Sequence, residues 1–215
     1  AEYMAPKKPY TIINNAIDVT AFKYNAQDRN DIRKSLNIHN DTLLIGHVGR
    51  FTSEKNHSFI LNVYKELLSL NNNAHLLLVG GGKLFESINE KAKELGIYNR
   101  ITFTGVRKDI SALMSAMDVF VFPSIFEGFP VTLVEAQSSD LPCVISDTFS
   151  KTAIVSDKVT VLSLQDSPRK WAETIVNSEK RERKDCSAII TNAGLDVKAN
   201  AKQLESVYLE AYVNK

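Results

Sequence analysis

Short apolar runs alternate with longer amphipathic stretches along most of the chain, and few architectures are compatible with that alternation. Six runs predict β-strands, over Leu43–Val48, 75–79, Ile101–Phe103, Val119–Phe122, 142–146 and Val159–Leu162. The stretches between and after them predict helices over 56–70, 84–95, 111–117, 130–138, 168–177, 185–193 and 197–213. Because strands that alternate with helices pair in parallel through right-handed crossovers, we predict an α/β fold. It is a Rossmann-like, doubly wound parallel sheet with additional helices at the C-terminal end.

The two ends of the chain stand outside this alternation. We interpret residues 1–9 as a linker into a domain over 10–195, and the start of the chain suggests a piece of a longer protein. A short strand over 10–13 and a helix capped by Asp28 or Asn30, ending near Leu36, are expected before the first long strand. The terminal helix, 196–215, is expected to pack on this domain or toward a domain outside the sequence.

Charge and cysteine content exclude several kinds of partner. With 26 basic and 25 acidic residues the net charge is +1, so there is no bulk attraction to nucleic acid or to an anionic membrane. Cys143 and Cys186 stand far apart without metal-ligand spacing, which favours a reducing compartment over a disulfide framework. No run of 18 apolar residues occurs. The sequence therefore predicts a cytoplasmic protein that does not bind nucleic acid.

Five loops follow the first five predicted strands and should crowd around one crevice, because ligands of doubly wound sheets bind at the carboxyl ends of the strands. The first of these loops carries Arg50 and Lys55 directly after Gly49. A guanidinium that binds in a bidentate way and a nearby ammonium suit a diphosphate, and the glycine lets the backbone approach it. The alternative is that both cations are ordinary solvated surface residues.

Three consecutive glycines, Gly80 to Gly82, follow the second strand. They do not form the dinucleotide fingerprint, whose third glycine lies inside the helix. A phosphate cradle and a tight turn into the next helix are equally compatible with them.

Two carboxylates, Glu127 and Glu135, lie eight residues apart across a turn from strand to helix. Glu135 falls in the second turn of the predicted helix, and one carboxylate can accept both hydroxyls of a ribose diol. Glu127 stands just before the helix, where a sugar or a phosphate would lie near the helix dipole. Solvent exposure is the alternative for either glutamate alone.

Other chemistries find little support. His39, His47, His57 and His75 show no helical pairing, and no Asp-x-Asp pair offers a site for a divalent metal. No nucleophile elbow and no Cys/His pair is present.

Taken together, these motifs resemble the carboxyl-terminal, donor-binding domain of retaining GT-B glycosyltransferases of family 4, the glycosyl transferases group 1 type. The likeness is greatest to bacterial capsular and exopolysaccharide enzymes. It is carried by Gly46-His47-Val48-Gly49-Arg50-Phe51, Lys55-Asn56-His57, Leu78-Val79-Gly80-Gly81-Gly82, Phe103-Thr104-Gly105 and Pro123-Ser124 through Glu135-Ala136, which includes an E-x7-E pattern.

The resemblance implies a role for each matching position. Arg50 and Lys55 would neutralise the diphosphate of a UDP- or GDP-linked sugar without a metal, and Glu127 would lie near the donor sugar. Glu135 would hold the ribose. Further contacts to the donor would come from Gly49 and Gly81, from the Gly105, Val106 and Arg107 loop beside the base, and from the backbone of Gly128, Phe129, Pro130 and Val131.

Two departures from the family pattern matter. Asp140 stands where the family usually has glycine, and Asp tolerates a positive φ better than most residues do. The amino-terminal domain that would bind a glycan or lipid-linked acceptor is not found in these 215 residues. We therefore expect the chain alone to bind nucleotide with little turnover, and the whole enzyme is compatible with peripheral membrane association. A non-catalytic nucleotide-sugar module and an epimerase of the same fold are the alternatives.

Overall fold

The computed structural model describes residues 12–148, 150–178 and 182–213. Its centre is a sheet of six strands: β1 (Leu43–Val48), β2 (Ala74–Val79), β3 (Ile101–Phe103), β4 (Val119–Phe122), β5 (Cys143–Ser146) and β6 (Val159–Leu162). The strands are all parallel and lie in the order β3-β2-β1-β4-β5-β6. The chain winds outward from β1 and returns to β4, so the winding reverses between these two strands. The predicted Rossmann-like fold is confirmed.

Eight helices are described alongside the sheet: α1 (Ala26–Ser35), α2 (His57–Leu70), α3 (Phe85–Glu94), α4 (Ile110–Ala116), α5 (Val131–Ser138), α6 (Pro168–Val176), α7 (Ser187–Asn192) and α8 (Val197–Val213). The strands and helices predicted from residue 43 onward are all present, with ends within two residues of those expected. These elements could be predicted from the spacing of apolar residues, because each helix must bury one apolar face against the sheet.

The sheet separates two apolar cores. Along β1, Leu43 and Ile45 face the core under α2, α3 and α6, where Tyr64 and Trp171 are fully buried. Leu44, between them, faces the core under α1, α4 and α5. Successive residues of a strand point to opposite faces, so strands covered on both sides are apolar throughout.

The structure corrects two expectations for the first part of the chain. Ile12 and Ile13 belong to no strand, while the other two residues of the strand predicted over 10–13 lie outside the described residues. Instead, Ile17 forms a parallel bridge with Asp196, after α7. Helix α1 is capped by Asn25 rather than by Asp28 or Asn30, because the Asn25 side chain accepts the backbone N–H groups of the first turn.

Asp140 occupies the position at which the resemblance predicted a glycine, and its φ of 50° is indeed left-handed. Its buried carboxylate accepts from Lys158 Nζ and from the backbone N–H of Lys184, each at 2.6 Å. The aspartate therefore joins β6 and the segment before α7 to the end of α5, which a glycine could not do.

Most residues of helix α8 are exposed to solvent. Asn200 is anchored by hydrogen bonds to the carbonyls of Asn14 and Gly194, but Tyr208, Leu209 and Tyr212 are exposed. Within the ranges described, no helix combines the length and apolarity that a membrane span requires.

Candidate functional site

The reversal of winding between β1 and β4 brings two loops together at the carboxyl edge of the sheet. The loop after β1 carries residues 49–56, and the loop after β4 carries residues 123–130. The residues on either side of Lys55 bond to the second loop: the Glu54 carbonyl accepts from Ile125 N–H at 2.8 Å, and Asn56 Nδ2 donates to the Pro123 carbonyl at 3.2 Å. Ligands of doubly wound sheets bind at this kind of switch point.

Lys55 and Glu127 meet between these two bonded loops. Lys55 Nζ lies 2.6 Å from Glu127 Oε1, and their side chains are only 18% and 11% exposed. The ammonium also lies 4.7 Å from the centre of the Phe122 ring. The two residues were predicted separately, one for a diphosphate and one for a sugar; the structure shows that they form an ion pair with each other.

Arg50 lies in the same loop, exposed to solvent. In the described part of the chain its guanidinium takes part in no hydrogen bond or ion pair. It is therefore a free cation at the carboxyl edge of the sheet.

Two buried histidines lie under this loop. His47 and His57 pack edge to face with ring centres 4.8 Å apart, and His57 stacks on Phe51 at 4.0 Å. His47 Nδ1 donates to the Val121 carbonyl at 2.9 Å, which leaves Nε2 as an acceptor without a partner among the described residues. Burial lowers the pKa of His57 to about 4 and that of His47 well below its usual value, so both rings are neutral.

Gly49 is required by this packing. A Cβ at this position would lie 2.8 Å from His47 Nε2 and 3.3 Å from Lys55 Cδ. Any side chain would displace the imidazole or the lysine stem, so the glycine keeps the loop close to the end of the sheet. His47 and His57, which no local sequence pattern had predicted to be in contact, thus support the loop that carries Arg50 and Lys55.

The glycines after β2 support the same loop from the other side. A Cβ on Gly80 would lie 2.1 Å from the Gly49 carbonyl oxygen, and one on Gly82 would lie 2.7 Å from that of Phe51. Both glycines also have positive φ, at 139° and 153°. Gly81 is different, because its Cβ would meet only Val106, at 3.3 Å. Close packing against backbone thus accounts for two of the three glycines, whereas Gly81 meets only the side chain of Val106.

Glu135 lies on α5, half-buried, and no described group forms a hydrogen bond or ion pair with its carboxylate. Burial without compensation raises the pKa of Glu135 to about 7. A carboxylate of this kind is stabilised by a ligand that donates hydrogen bonds to it.

The turn into α5 presents backbone more than side chains. Phe129 and Val131 pack their side chains into the apolar cluster around α7, and Pro130 caps the helix without a side-chain hydrogen bond. The Val131 N–H donates to the Phe129 carbonyl at 3.0 Å, so it is already used within the turn. Gly128 is exposed, with no atom within 4 Å of a Cβ built there.

The loop after β3 completes the edge. Gly105 has a φ of 67°, and its carbonyl accepts from the Gly80 N–H at 2.9 Å. The Val106 side chain is 82% exposed beside Gly81. Arg107 turns away to form a bidentate pair with Asp109, at 2.8 and 2.6 Å, so its charge is already compensated.

Two surface cavities lie instead at the amino edge of the sheet. One is lined by residues that include Lys158 and Lys170, the other by residues that include Arg29 and Asp118. The three cations named here already pair with carboxylates of the domain. We therefore place the candidate site at the carboxyl edge, which carries the free Arg50 and the uncompensated Glu135.

Known proteins with this sequence pattern place the chain in a family. The Glycosyl transferases group 1 family profile matches residues 28–195. EpsF of Bacillus subtilis (strain 168), which carries a provisional glycosyltransferase name, is 36% identical over 201 residues, 92% of this chain and 52% of its own length. The chain belongs to the glycosyl transferases group 1 family.

More distant relatives agree with this assignment. The Escherichia coli UDP-Gal:alpha-D-GlcNAc-diphosphoundecaprenol alpha-1,3-galactosyltransferase is 26% identical over 228 residues, covering 99% of this chain and 57% of its own length. The crystal structure of Anabaena HepE in complex with UDP and glucose matches with a TM-score of 0.76 at 21% identity. That match covers 92% of this chain and 56% of HepE, and it supports the GT-B fold. The chain thus spans a little over half the length of the relatives it matches.

Proposed function

We propose that this domain binds the nucleotide-sugar donor of a retaining glycosyltransferase of polysaccharide biosynthesis. The observation that carries the proposal is the joining of the Arg50–Lys55 loop and the Glu127–Glu135 turn at the β1–β4 switch point. It brings two cations and two carboxylates, far apart in sequence, to one edge of the sheet.

The cations supply the electrostatics of the reaction. When the sugar is transferred, the bond from its anomeric carbon to the outer phosphate oxygen breaks, and negative charge builds up on the departing diphosphate. Arg50 at this edge and Lys55 within the crevice would stabilise that charge, with the first turn of α5 adding its dipole. We propose that no metal is required for this step.

The remaining groups would orient the donor. The uncompensated carboxylate of Glu135 suits the two hydroxyls of a ribose, and the exposed Val106 beside Gly81 offers an apolar edge for a base. Exposed backbone at Gly128 would face the sugar. HepE was crystallised with UDP, and we propose uridine as the first base to test.

Binding of the acceptor is proposed for the whole protein rather than for this domain alone. The E. coli relative is named for a lipid-linked acceptor, N-acetylglucosamine on diphosphoundecaprenol. We propose that the acceptor of this enzyme is likewise a glycan or lipid-linked sugar, bound by a part of the longer protein, in the cytoplasm. In the completed reaction the acceptor hydroxyl bonds to the anomeric carbon, on the face from which the nucleoside diphosphate departs, and its proton passes to the departing diphosphate.

Isothermal titration calorimetry with UDP and GDP tests the donor site. We expect one diphosphate to bind to the chain equally well with magnesium and with EDTA. Arg50→Ala should weaken this binding by about 1.5–3 kcal/mol, because a charge-assisted contact is lost. Arg100→Ala is a matched control, since that exposed guanidinium donates to the Asn72 carbonyl at the amino edge of the sheet, away from the site. Equal affinity of wild type and Arg50→Ala would contradict the site, and the absence of binding for every nucleoside diphosphate would contradict the function.

A further inference from the structure

In the Lys55–Glu127 ion pair, the carboxylate already binds the ammonium that a diphosphate would need. We propose that Glu127 is an internal competitor for Lys55, through which the domain favours the nucleotide sugar over the nucleoside diphosphate that remains after transfer. The inference rests on the function proposed above and assigns a specificity role within the same site.

The contact is built into the backbone of both loops. On either side of Lys55, Glu54 and Asn56 bond to Ile125 and Pro123, which precede Glu127. These bonds hold the two loops in a fixed register, so the backbone positions the Glu127 carboxylate next to the Lys55 ammonium. At 2.6 Å, with both side chains mostly shielded, the pair is short and weakly screened by solvent.

A diphosphate in this crevice would bring further negative charge beside Glu127. Lys55 is confined, because its stem packs near Gly49 and its ammonium lies against the Phe122 ring. The ligand must therefore take the ammonium from Glu127 or share it. In both cases the glutamate charge repels the phosphates, and weak screening makes that repulsion substantial.

The donor and the product differ in whether they can offset this repulsion with hydrogen bonds to Glu127. A nucleotide sugar carries hydroxyl groups next to its outer phosphate, and these can donate hydrogen bonds to the displaced carboxylate. A nucleoside diphosphate has no such donors, and its terminal phosphate carries additional charge. Glu127 therefore weakens product binding more than donor binding and favours release after transfer.

Calorimetry on the chain, with UDP and UDP-glucose as probes at one fixed pH, tests this role. Glu127→Gln keeps the shape but removes the charge, and we expect it to bind UDP roughly five- to tenfold more tightly than wild type. The affinity ratio of UDP-glucose to UDP should fall in the same variant. Lys55→Met should bind both ligands more weakly.

Glu54→Gln is the matched control, because it removes one negative charge from the same loop on a side chain that is exposed and not paired with Lys55. Its UDP affinity should stay within about twofold of wild type, as expected for a screened surface charge. Loss of Glu127 leaves a shielded ammonium unpaired and will lower the melting temperature of the free variant. The UDP-induced rise in melting temperature, measured also for Glu127→Ala, should nevertheless exceed that of wild type.

The outcomes separate the two proposals. If wild type binds UDP and Glu127→Gln binds it equally or more weakly, Glu127 positions Lys55 and the competitor role is overturned while the donor site stands. An unchanged ratio of UDP-glucose to UDP overturns the discrimination. If no nucleoside diphosphate binds to wild type, the donor site itself fails.

Discussion

Glu135 shows how one residue couples stability to binding. Its pKa of about 7 in the free protein lies above the usual carboxyl value of 4.5, because it is buried without a compensating donor. The folded state therefore holds a proton that the unfolded state has released between these values, and stability falls as pH rises through that window. Above pH 7 the buried, ionised carboxylate lowers the free energy of unfolding by its full amount, on the order of 3 kcal/mol from the size of the pKa shift.

The same residue predicts a pH dependence of donor binding. Ribose hydroxyls donate to the ionised carboxylate, so a bound nucleotide favours deprotonation of Glu135. UDP-glucose, whose phosphates do not titrate near neutrality, should bind more tightly at pH 8 than at pH 6, by up to about tenfold per pH unit below 7. Glu135→Gln should bind weakly and without this pH dependence, as measured by calorimetry, and should melt at a higher temperature than wild type at pH 8. A pH-independent affinity in wild type would exclude Glu135 as the ribose ligand.

At the scale of elements, alternation along the chain was enough to predict the six strands and their covering helices. The strand over 10–13 was wrong at Ile12 and Ile13, because a short apolar run becomes a strand only where a partner strand exists. Ile17 finds its bridge at Asp196, near the other end of the chain, and no local pattern encodes that contact. The cap at Asn25 was missed because Asp28 and Asn30 have the same capping chemistry only a few residues away.

The site was predictable to the level of its loops and not to the level of its contacts. Parallel strands bring their carboxyl ends to one edge, so Gly49, Arg50 and Glu135 could be assigned to one crevice. The ion pair of Lys55 and Glu127 joins residues 72 positions apart and depends on side-chain conformation. The packing of His47 against His57 likewise depends on the turn that brings the start of α2 back over β1.

The turn between β2 and α3 allows a test of the glycine tract at this scale. Gly80→Ala places a methyl group against the Gly49 carbonyl at a positive φ, so we expect a stability loss of about 1–3 kcal/mol and weaker UDP binding. Gly81→Ala is the matched change, because it needs only a small shift of Val106 and should keep the melting temperature within a few degrees. Urea unfolding and UDP titration of both variants make the comparison. Weaker UDP binding by a fully stable Gly81→Ala would assign Gly81 to the ligand, whereas unchanged binding leaves the tract a packing role alone.

At the scale of the whole molecule, we propose that the described domain supplies the donor side of a cleft and that another part of the protein supplies the acceptor side. The relatives it matches are nearly twice as long, and its candidate site opens along the carboxyl edge of a single sheet. We therefore expect the chain to bind UDP or GDP and to transfer sugar to acceptor at less than about one-thousandth of the full-length rate, since the loss of acceptor positioning alone costs this much or more. Transfer of radiolabelled sugar, measured side by side for the chain and the longer protein, checks the difference. Hydrolysis of the donor should be slow in both, because water lacks the orientation that a bound acceptor supplies. Comparable transfer by the chain alone would show that its own residues hold the acceptor, and α8, with its exposed Tyr208 and Tyr212, would then be the first surface to mutate.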